Sequence, residues 1–508
     1  MSRSHRPTPL TCLALAAFVA ACSDPVAGDA LDAVTADAEV SIPGELDADP
    51  DAPDQDAQDP DPSDAPTCGA TRLAPPSVAL SATDLAVPID VLALDAKVHL
   101  DLGTGTASVV ATLTFRTSEE GGFPVFDLRQ SVSSLTLDGE ALPVDALERH
   151  DFALAPSGGV LVLRSALAPC SLHHLVLAYT LGPAGPYLRW KPDAVTWSIG
   201  LSDVVPGMLL ERWFPAPLLH DTFAFHLSVD LAGPATDHLL LANAPVSHHT
   251  PGSHWEVAFP DDTDVMSSFF YLAPRRDMTL VEGPGFLFAA SRGLPTTIPF
   301  DLLGPALVET LADFTRRFGP RPAPGLPFLV VFDLMTFTGG MEYRNAVQLS
   351  VKDRDTLRHE VAHTWFGRSL SPARHLDGWV DETLATWTTT TNVLDLVALA
   401  ARGEASGPRA SLDPWLRATY DRRTEGVWPY VIGPAVLDAI ATGVGRDLLT
   451  ATLEDWARDC RGHHITQDDF REVLLTLPAP AFIDALLSTW LIPPHEPPVH
   501  GTCPRHAP

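Results

Sequence analysis

Arg358-His359-Glu360-Val361-Ala362-His363-Thr364-Trp365-Phe366-Gly367 is the stretch that decides how this 508-residue chain is read. Arg354 to Phe366 reads as a helix, and residues four apart on a helix share one face. His359 and His363 can therefore offer imidazole nitrogens to a single zinc ion. Glu360, between them, points beside the metal and can take a proton from water bound there. The five-residue pattern alone is only moderately specific, so its company matters. Eighteen residues separate His363 from Glu382, which sits in Trp379-Val380-Asp381-Glu382 at the start of a second predicted helix, Asp381 to Leu399. A catalytic zinc takes three protein ligands and keeps a fourth place for water, a requirement that His359, His363 and Glu382 meet. The competing reading of Glu382, a carboxylate favoured by a helix N-terminus, explains an acid there but not the two histidines. One Zn2+ per chain is expected.

Outward from this motif, Leu303 to Phe318 reads as a helix, Pro327 to Phe332 as a buried strand and Ala346 to Val351 as another strand. Helical segments then continue to about Leu491. Residues 276–493 are read on this basis as an α+β, mostly helical domain. Residues 71–275 differ. Ala111, Leu113 and Phe115 alternate with Thr112, Thr114 and Arg116, and Phe223 to Leu231 alternates in the same way. Period-two alternation marks strands with one buried face, and Leu137-Asp138-Gly139 is a turn signal between such runs. An antiparallel all-β domain is predicted. Residues 494–508, rich in Pro and His, read as an irregular tail.

Residues 1–21 have the form of a signal peptide: basic at Arg3 and Arg6, then a short apolar run from Leu10 to Ala21. Val19-Ala20-Ala21-Cys22 looks like a bacterial lipobox, which makes Cys22 the expected lipid anchor. Ser23 after it resembles outer-membrane sorting. An exported protein is expected, held to a bacterial membrane with its folded part outside the cytoplasm. Residues 22–70 form an Asp/Ala/Pro tether, with fourteen acids and no Lys or Arg from Ser23 to Thr67. So few apolar groups cannot offset the entropy of ordering, so disorder is predicted. The formal charge of -31 repels phosphate backbones, and no nucleic-acid partner is expected. Cys68, Cys170, Cys460 and Cys503 are an even set in an exported chain, which suggests two disulfides. Three pairings exist; Cys68–Cys170 and Cys460–Cys503 are favoured because each stays within one domain.

Taken with Trp365-Phe366-Gly367, the zinc pattern at His359, Glu360, His363 and Glu382 resembles the gluzincin aminopeptidases, the family of aminopeptidase N and leukotriene hydrolase. Gly339-Gly340-Met341-Glu342-Tyr343 resembles that family's Gly-x-Met-Glu-Asn strand. Arg212-Trp213-Phe214-Pro215, followed by a strand from Thr222, resembles the end of its β domain. The likeness spans roughly residues 80–491. It implies a thermolysin-like catalytic domain acting on peptide or protein substrates. It also implies substrate contacts at Gly339, Gly340, Met341 and Glu342, with the glutamate receiving the substrate's free amine. Tyr430, in Tyr430-Val431-Ile432-Gly433, matches the family tyrosine that stabilises the oxyanion, with Ile432 replacing a lysine. Tyr343, Arg368 and Thr383 also depart from the family pattern, standing for Asn, Asn and Gly. The expected function is an aminopeptidase-like zinc peptidase. The alternatives are an open-cleft endopeptidase and a catalytically silent metal-containing surface lipoprotein.

Overall fold

The structure, a computed structural model, describes residues 77–150, 159–182, 187–201, 210–218, 221–233, 237–250, 252–294, 297–333, 339–373, 377–390, 428–490 and Cys503. The signal, Cys22, the tether and all of the tail except Cys503 lie outside the described residues.

The alternating run around Ala111 is a strand, Thr106–Thr117, whose Ala107, Val109, Ala111, Leu113 and Phe115 are buried. It pairs with the long strand Leu85–Asp101 on one side and Leu172–Thr180 on the other, within a 12-stranded sheet. Asp138 and Gly139, with φ of 51° and 84°, make the tight turn between Val132–Leu137 and Glu140–Leu142. A two-residue turn with both φ positive matches the twist of a hairpin. The sheet is not purely antiparallel. Thr222–Ala232 runs parallel to Leu85–Asp101, and Phe123–Phe126 pairs parallel with the start of that same strand. A parallel neighbour needs a long connection, and more than a hundred residues separate Asp101 from Thr222. Alternation reports the buried face of a strand and is silent about its neighbour's direction.

A second, four-stranded sheet joins Leu188–Lys191, Ala194–Ser198, Phe270–Pro274 and His238–Ala242. Between the sheets lies an aromatic core. Trp197 meets Phe270 edge-on at 4.6 Å and Trp213 at 5.6 Å. Such pairs add about 0.5–1.5 kcal/mol each beyond area burial. The Arg212-Trp213-Phe214-Pro215 segment thus serves as a plug: Trp213 and Phe214 are fully buried, and the Trp213 indole donates to the Ile199 carbonyl.

Beyond Pro274 a five-stranded sheet runs in the order Met278–Gly283, Phe286–Ser291, Phe328–Phe332, Ala346–Leu349, Gly340–Tyr343, the last at an edge. Its residues divide between two cores. Leu329, Val331, Met341, Tyr343 and Ala346 join the core of the β-rich part. Phe328, Val330, Phe332, Val347 and Leu349 join a helical core. A sheet covered on both faces reads as a continuous apolar run, as Phe328 to Phe332 does. The helices are α1 (Phe300–Phe318), α2 (Arg354–Ala362), α3 (Gly378–Thr389), α4 (Gly433–Val444), α5 (Arg446–Asp459), α6 (Gln467–Leu475) and α7 (Pro480–Trp490).

Two boundaries differ from expectation. Helix α2 stops at Ala362 rather than Phe366. The amides of Thr364 and Trp365 bond three residues back, to Val361 and Ala362, and Gly367 turns the chain at φ 110°. These turns bury Trp365 and Phe366 against α1, where Trp365 meets Phe314 and Phe366 meets Phe318. Helix α3 begins at Gly378, three residues before Asp381, so Glu382 lies inside the helix rather than at its first turn. The far end of the predicted segment, to Leu399, lies outside the described residues.

Cys460 at the end of α5 is bonded to Cys503. Cys170 is disulfide-bonded as well; Cys68 is outside the described residues. The Cys460–Cys503 bond closes a loop with a sequence separation of 43. Cross-links over such loops stabilise by about 2–4 kcal/mol. Cys503→Ser should accordingly lower the midpoint of denaturant unfolding at unchanged zinc content. An unshifted midpoint would mean the bond contributes nothing to the helical core.

Candidate metal centre

Asp353 caps α2, accepting the Thr356 amide at 2.7 Å. The helix it starts carries His359 and Glu360 in its last turn, and His363, one turn beyond His359, caps its C-terminus. Helix α3 brings Glu382 to them. His359 Nε2 lies 3.1 Å from Glu382 Oε2, His363 Nε2 lies 3.2 Å from the same oxygen, and the two Nε2 atoms are 3.2 Å apart. Ligands about 2.0–2.1 Å from a tetrahedral zinc are about 3.3 Å from one another, so this triangle is the size of one face of such a site. The Nδ1–H of His363 donates to the Phe366 carbonyl at 3.1 Å. That fixes the tautomer and leaves Nε2 with its lone pair. Two imidazole nitrogens and a carboxylate oxygen suit zinc chemically as well.

The electrostatics of the trio call for positive charge at its centre. Burial opposes charging of His363, but Glu342 and Glu382 outweigh it and raise its pKa well above the ordinary imidazole range. Burial likewise opposes ionisation of Glu382, and His363 and His359 reverse the sign, holding its carboxyl well below the usual range. Burial raises the Glu342 carboxyl, against the pull of His363 and Arg368.

Behind His363 stands Asp381, fully buried. Its Oδ1 accepts the Glu382 amide at 2.8 Å and its Oδ2 is 3.7 Å from His363 Nδ1. A Cβ on Gly367 would lie 2.5 Å from that Oδ2. The glycine after Trp365-Phe366 is thus required twice, for its positive φ and for the space Asp381 fills.

The edge strand Gly340–Tyr343 alternates across the border of the site. Met341 and Tyr343 point into the β-rich core, where Tyr343 packs on Phe269 at 4.4 Å and its hydroxyl accepts the Leu201 amide at 3.4 Å. Gly340 and Glu342 face the opposite way, towards α2. A Cβ on Gly340 would meet Glu360 Cγ at 2.4 Å and Cδ at 2.5 Å. Ligand-type atoms of Glu342, Glu360 and His363 all lie within 4.8 Å of one another. Gly339 is tied to Ser350, whose amide donates to its carbonyl at 2.9 Å. Glu342 is only 2% exposed, and Arg368 donates to its Oε1.

Tyr430 lies in a π-helical stretch, Trp428–Ile432, a geometry that recurs at functional sites. Its hydroxyl donates to Glu382 Oε1 at 2.6 Å, its ring centre is 5.9 Å from that of His359, and it is 38% exposed. Thr383, following the predicted zinc glutamate, fits because Gly433 makes room: a Cβ there would sit 2.0 Å from Thr383 Oγ1. That hydroxyl donates to the Pro429 carbonyl at 3.2 Å, pinning the Tyr430 segment to α3.

The chain is similar to the M1 zinc metallopeptidase of Deinococcus radiodurans at 18% identity, over 82% of this chain and 96% of that one, with a TM-score of 0.55. It is similar to native yeast LTA4 hydrolase at 14% identity over 82% of this chain and 70% of that one, with a TM-score of 0.57. For Legionella pneumophila aminopeptidase A in complex with aspartic acid the identity is 14%, the coverage 82% and 50%, and the TM-score 0.59. The chain has the M1 metallopeptidase fold. No protein-family model matches the sequence, nor does any curated protein.

Within this M1 fold all three predicted ligands and the predicted base converge, and Glu342 and Tyr430 border them. Sequence reasoning missed Asp381 as a partner of His363. Its position directly before the predicted zinc glutamate was the available signal. It also missed the Arg368–Glu342 pair, which joins residues 26 apart in sequence and has no local signature.

Two outcomes are expected. Protons compete with metal for Nε2 of His363, whose pKa the neighbouring Glu342 and Glu382 raise against its burial, so lowering pH favours the proton. Zinc affinity should therefore fall as pH falls across about pH 8 to 5, read by competition with a chromophoric chelator. A pH-independent affinity would rule out His363 as a ligand. Gly340→Ala should leave zinc binding intact but displace Glu360, lowering kcat on the order of 10²-fold for a shift of about 1 Å.

Proposed function

We propose that this chain is a zinc-dependent peptide hydrolase in which His359, His363 and Glu382 hold one Zn2+. The carrying observation is the triangle of ligand atoms at 3.1–3.2 Å with Glu360 beside it in an M1 fold. We read residues 276–493 as a thermolysin-like catalytic domain and 71–275 as the β-rich domain that walls its cleft. The aminopeptidase-like character of the machinery is supported by a similar solved structure named as an aminopeptidase, that of Legionella pneumophila. Residues 1–21 are proposed as an export signal. Cys22 would be the lipid anchor and 22–70 the tether, which puts the hydrolase outside the cytoplasm on a bacterial membrane.

When bound, zinc supplies a Lewis acid that polarises a peptide carbonyl and acidifies water. Glu360 takes the proton of the attacking water on its carboxylate and hands it to the leaving amine nitrogen. Gly340 holds Glu360 from one side, so the base approaches the ligand triangle from a fixed direction. His363 presents Nε2 to the metal because its Nδ1–H is engaged in donating to the Phe366 carbonyl. Tyr430, on the exposed side of Glu382, donates a hydrogen bond to the carbonyl oxygen as that oxygen gains charge. Its present acceptor, Glu382 Oε1, holds the phenol at the rim until a substrate oxygen competes for it.

Glu360→Gln should retain stoichiometric zinc and lose on the order of 10²–10⁴-fold in kcat on peptide substrates. Hydrolysis at the wild-type rate would transfer the base role elsewhere. Tyr430→Phe should lower kcat by about 10²–10³-fold with little change in KM.

A further inference from the structure

The carboxylates around the metal centre are already engaged, and this bears on which peptides the site accepts. A free α-amine is an ammonium at neutral pH. Holding it beside a bound cation requires a carboxylate whose charge is not already cancelled. Among the described residues four carboxylates surround His359 and His363. Glu382 spends its oxygens on the two imidazoles and Tyr430. Glu360 is the proposed base. Asp381 is fully buried behind His363, accepting the Glu382 amide. Glu342 remains, on the strand that borders the site, and the Arg368 guanidinium holds its Oε1. Arg368 is itself fully enclosed and anchored, since its Nη1 donates to the Gly367 carbonyl at 2.7 Å. An incoming ammonium at Glu342 would compete with this buried guanidinium for a charge the ion pair already neutralises, weakening a contact on which the enclosed cation depends. The strand itself offers a different handle. Gly340–Tyr343 is an edge strand, and the backbone of an edge strand can pair with an extended peptide at any point along its length.

We infer that Arg368 is a specificity-determining residue. By occupying Glu342 it removes the requirement for a free α-amine, so the substrate class is N-blocked peptides and internal peptide bonds as well as free N-termini. This rests on the metallopeptidase reading and deepens it.

The test compares two peptides, identical but for an N-terminal acetyl group, on the zinc-loaded full-length chain. Their kcat/KM values should agree within about threefold, a difference smaller than one neutral hydrogen bond. Arg368→Asn should release Glu342 and shift the ratio towards the free amine by about tenfold or more. Adding Glu342→Gln to that variant should cancel the gain. Wild-type protein that cleaves only the free-amine peptide overturns the inference. So does a folded, zinc-bound Arg368→Asn protein with an unchanged ratio. Should Arg368→Asn fail to fold, Glu342→Gln alone decides. An unchanged ratio supports the inference, and a fall in free-amine preference overturns it. If neither peptide is hydrolysed, the metallopeptidase reading fails separately. Calorimetric titration of the same two peptides then decides the inference: equal affinities support it, while tighter binding of the free-amine peptide, or no binding of either, overturns it.

Discussion

Nε2 of His359, Nε2 of His363 and Oε2 of Glu382 each bear a lone pair, and they face one another across 3.1–3.2 Å. His363 and Glu382 favour one another's charge, so the two helices that carry them are drawn together at this point. Much of the surrounding packing can be understood as holding α2 and α3 at that separation. Where they approach, the sequence supplies glycine. Gly367 admits the Asp381 carboxylate, Gly340 admits Glu360, and Gly433 admits Thr383. Each missing Cβ lets a polar side chain stand closer to the trio than any other residue would allow.

The polar groups so admitted form a graded shell. Asp381 and the Phe366 carbonyl lie behind His363, and Tyr430 lies in front of Glu382. Groups behind the ligands are buried and fix orientation. The one in front is exposed enough to exchange its partner. That division separates the part of the centre that must stay rigid from the part that meets a reactant.

Much of this was legible from local pattern. His359, Glu360 and His363 are fixed relative to one another by helical spacing, so their geometry follows once α2 forms. The strand around Ala111 follows from alternation in the same way. Contacts between distant segments were not legible. The parallel pairing of Thr222–Ala232 with Leu85–Asp101 depends on chain routing, which side-chain periodicity does not encode. Arg368 and Tyr343 were visible as departures from a known pattern, but their roles needed coordinates. Arg368 turns inward to Glu342, and Tyr343 turns away from the site because it is an odd-parity neighbour of Glu342 on a strand. The early end of α2 reflects tertiary packing of Trp365 and Phe366 on α1, which overrides the helical run.

Tyr343 and Met341 carry a consequence for how such a protein can be divided. They belong to the core of one half of the molecule, while Gly340 and Glu342, their immediate neighbours, line the metal centre of the other. Four consecutive residues therefore serve two masters. A gene fragment encoding only the helical half would display an aromatic and a thioether where the missing half should sit, beside the very backbone that positions the base. Cutting the chain between the two halves would therefore leave both sides of this short ribbon without the surfaces they pack on.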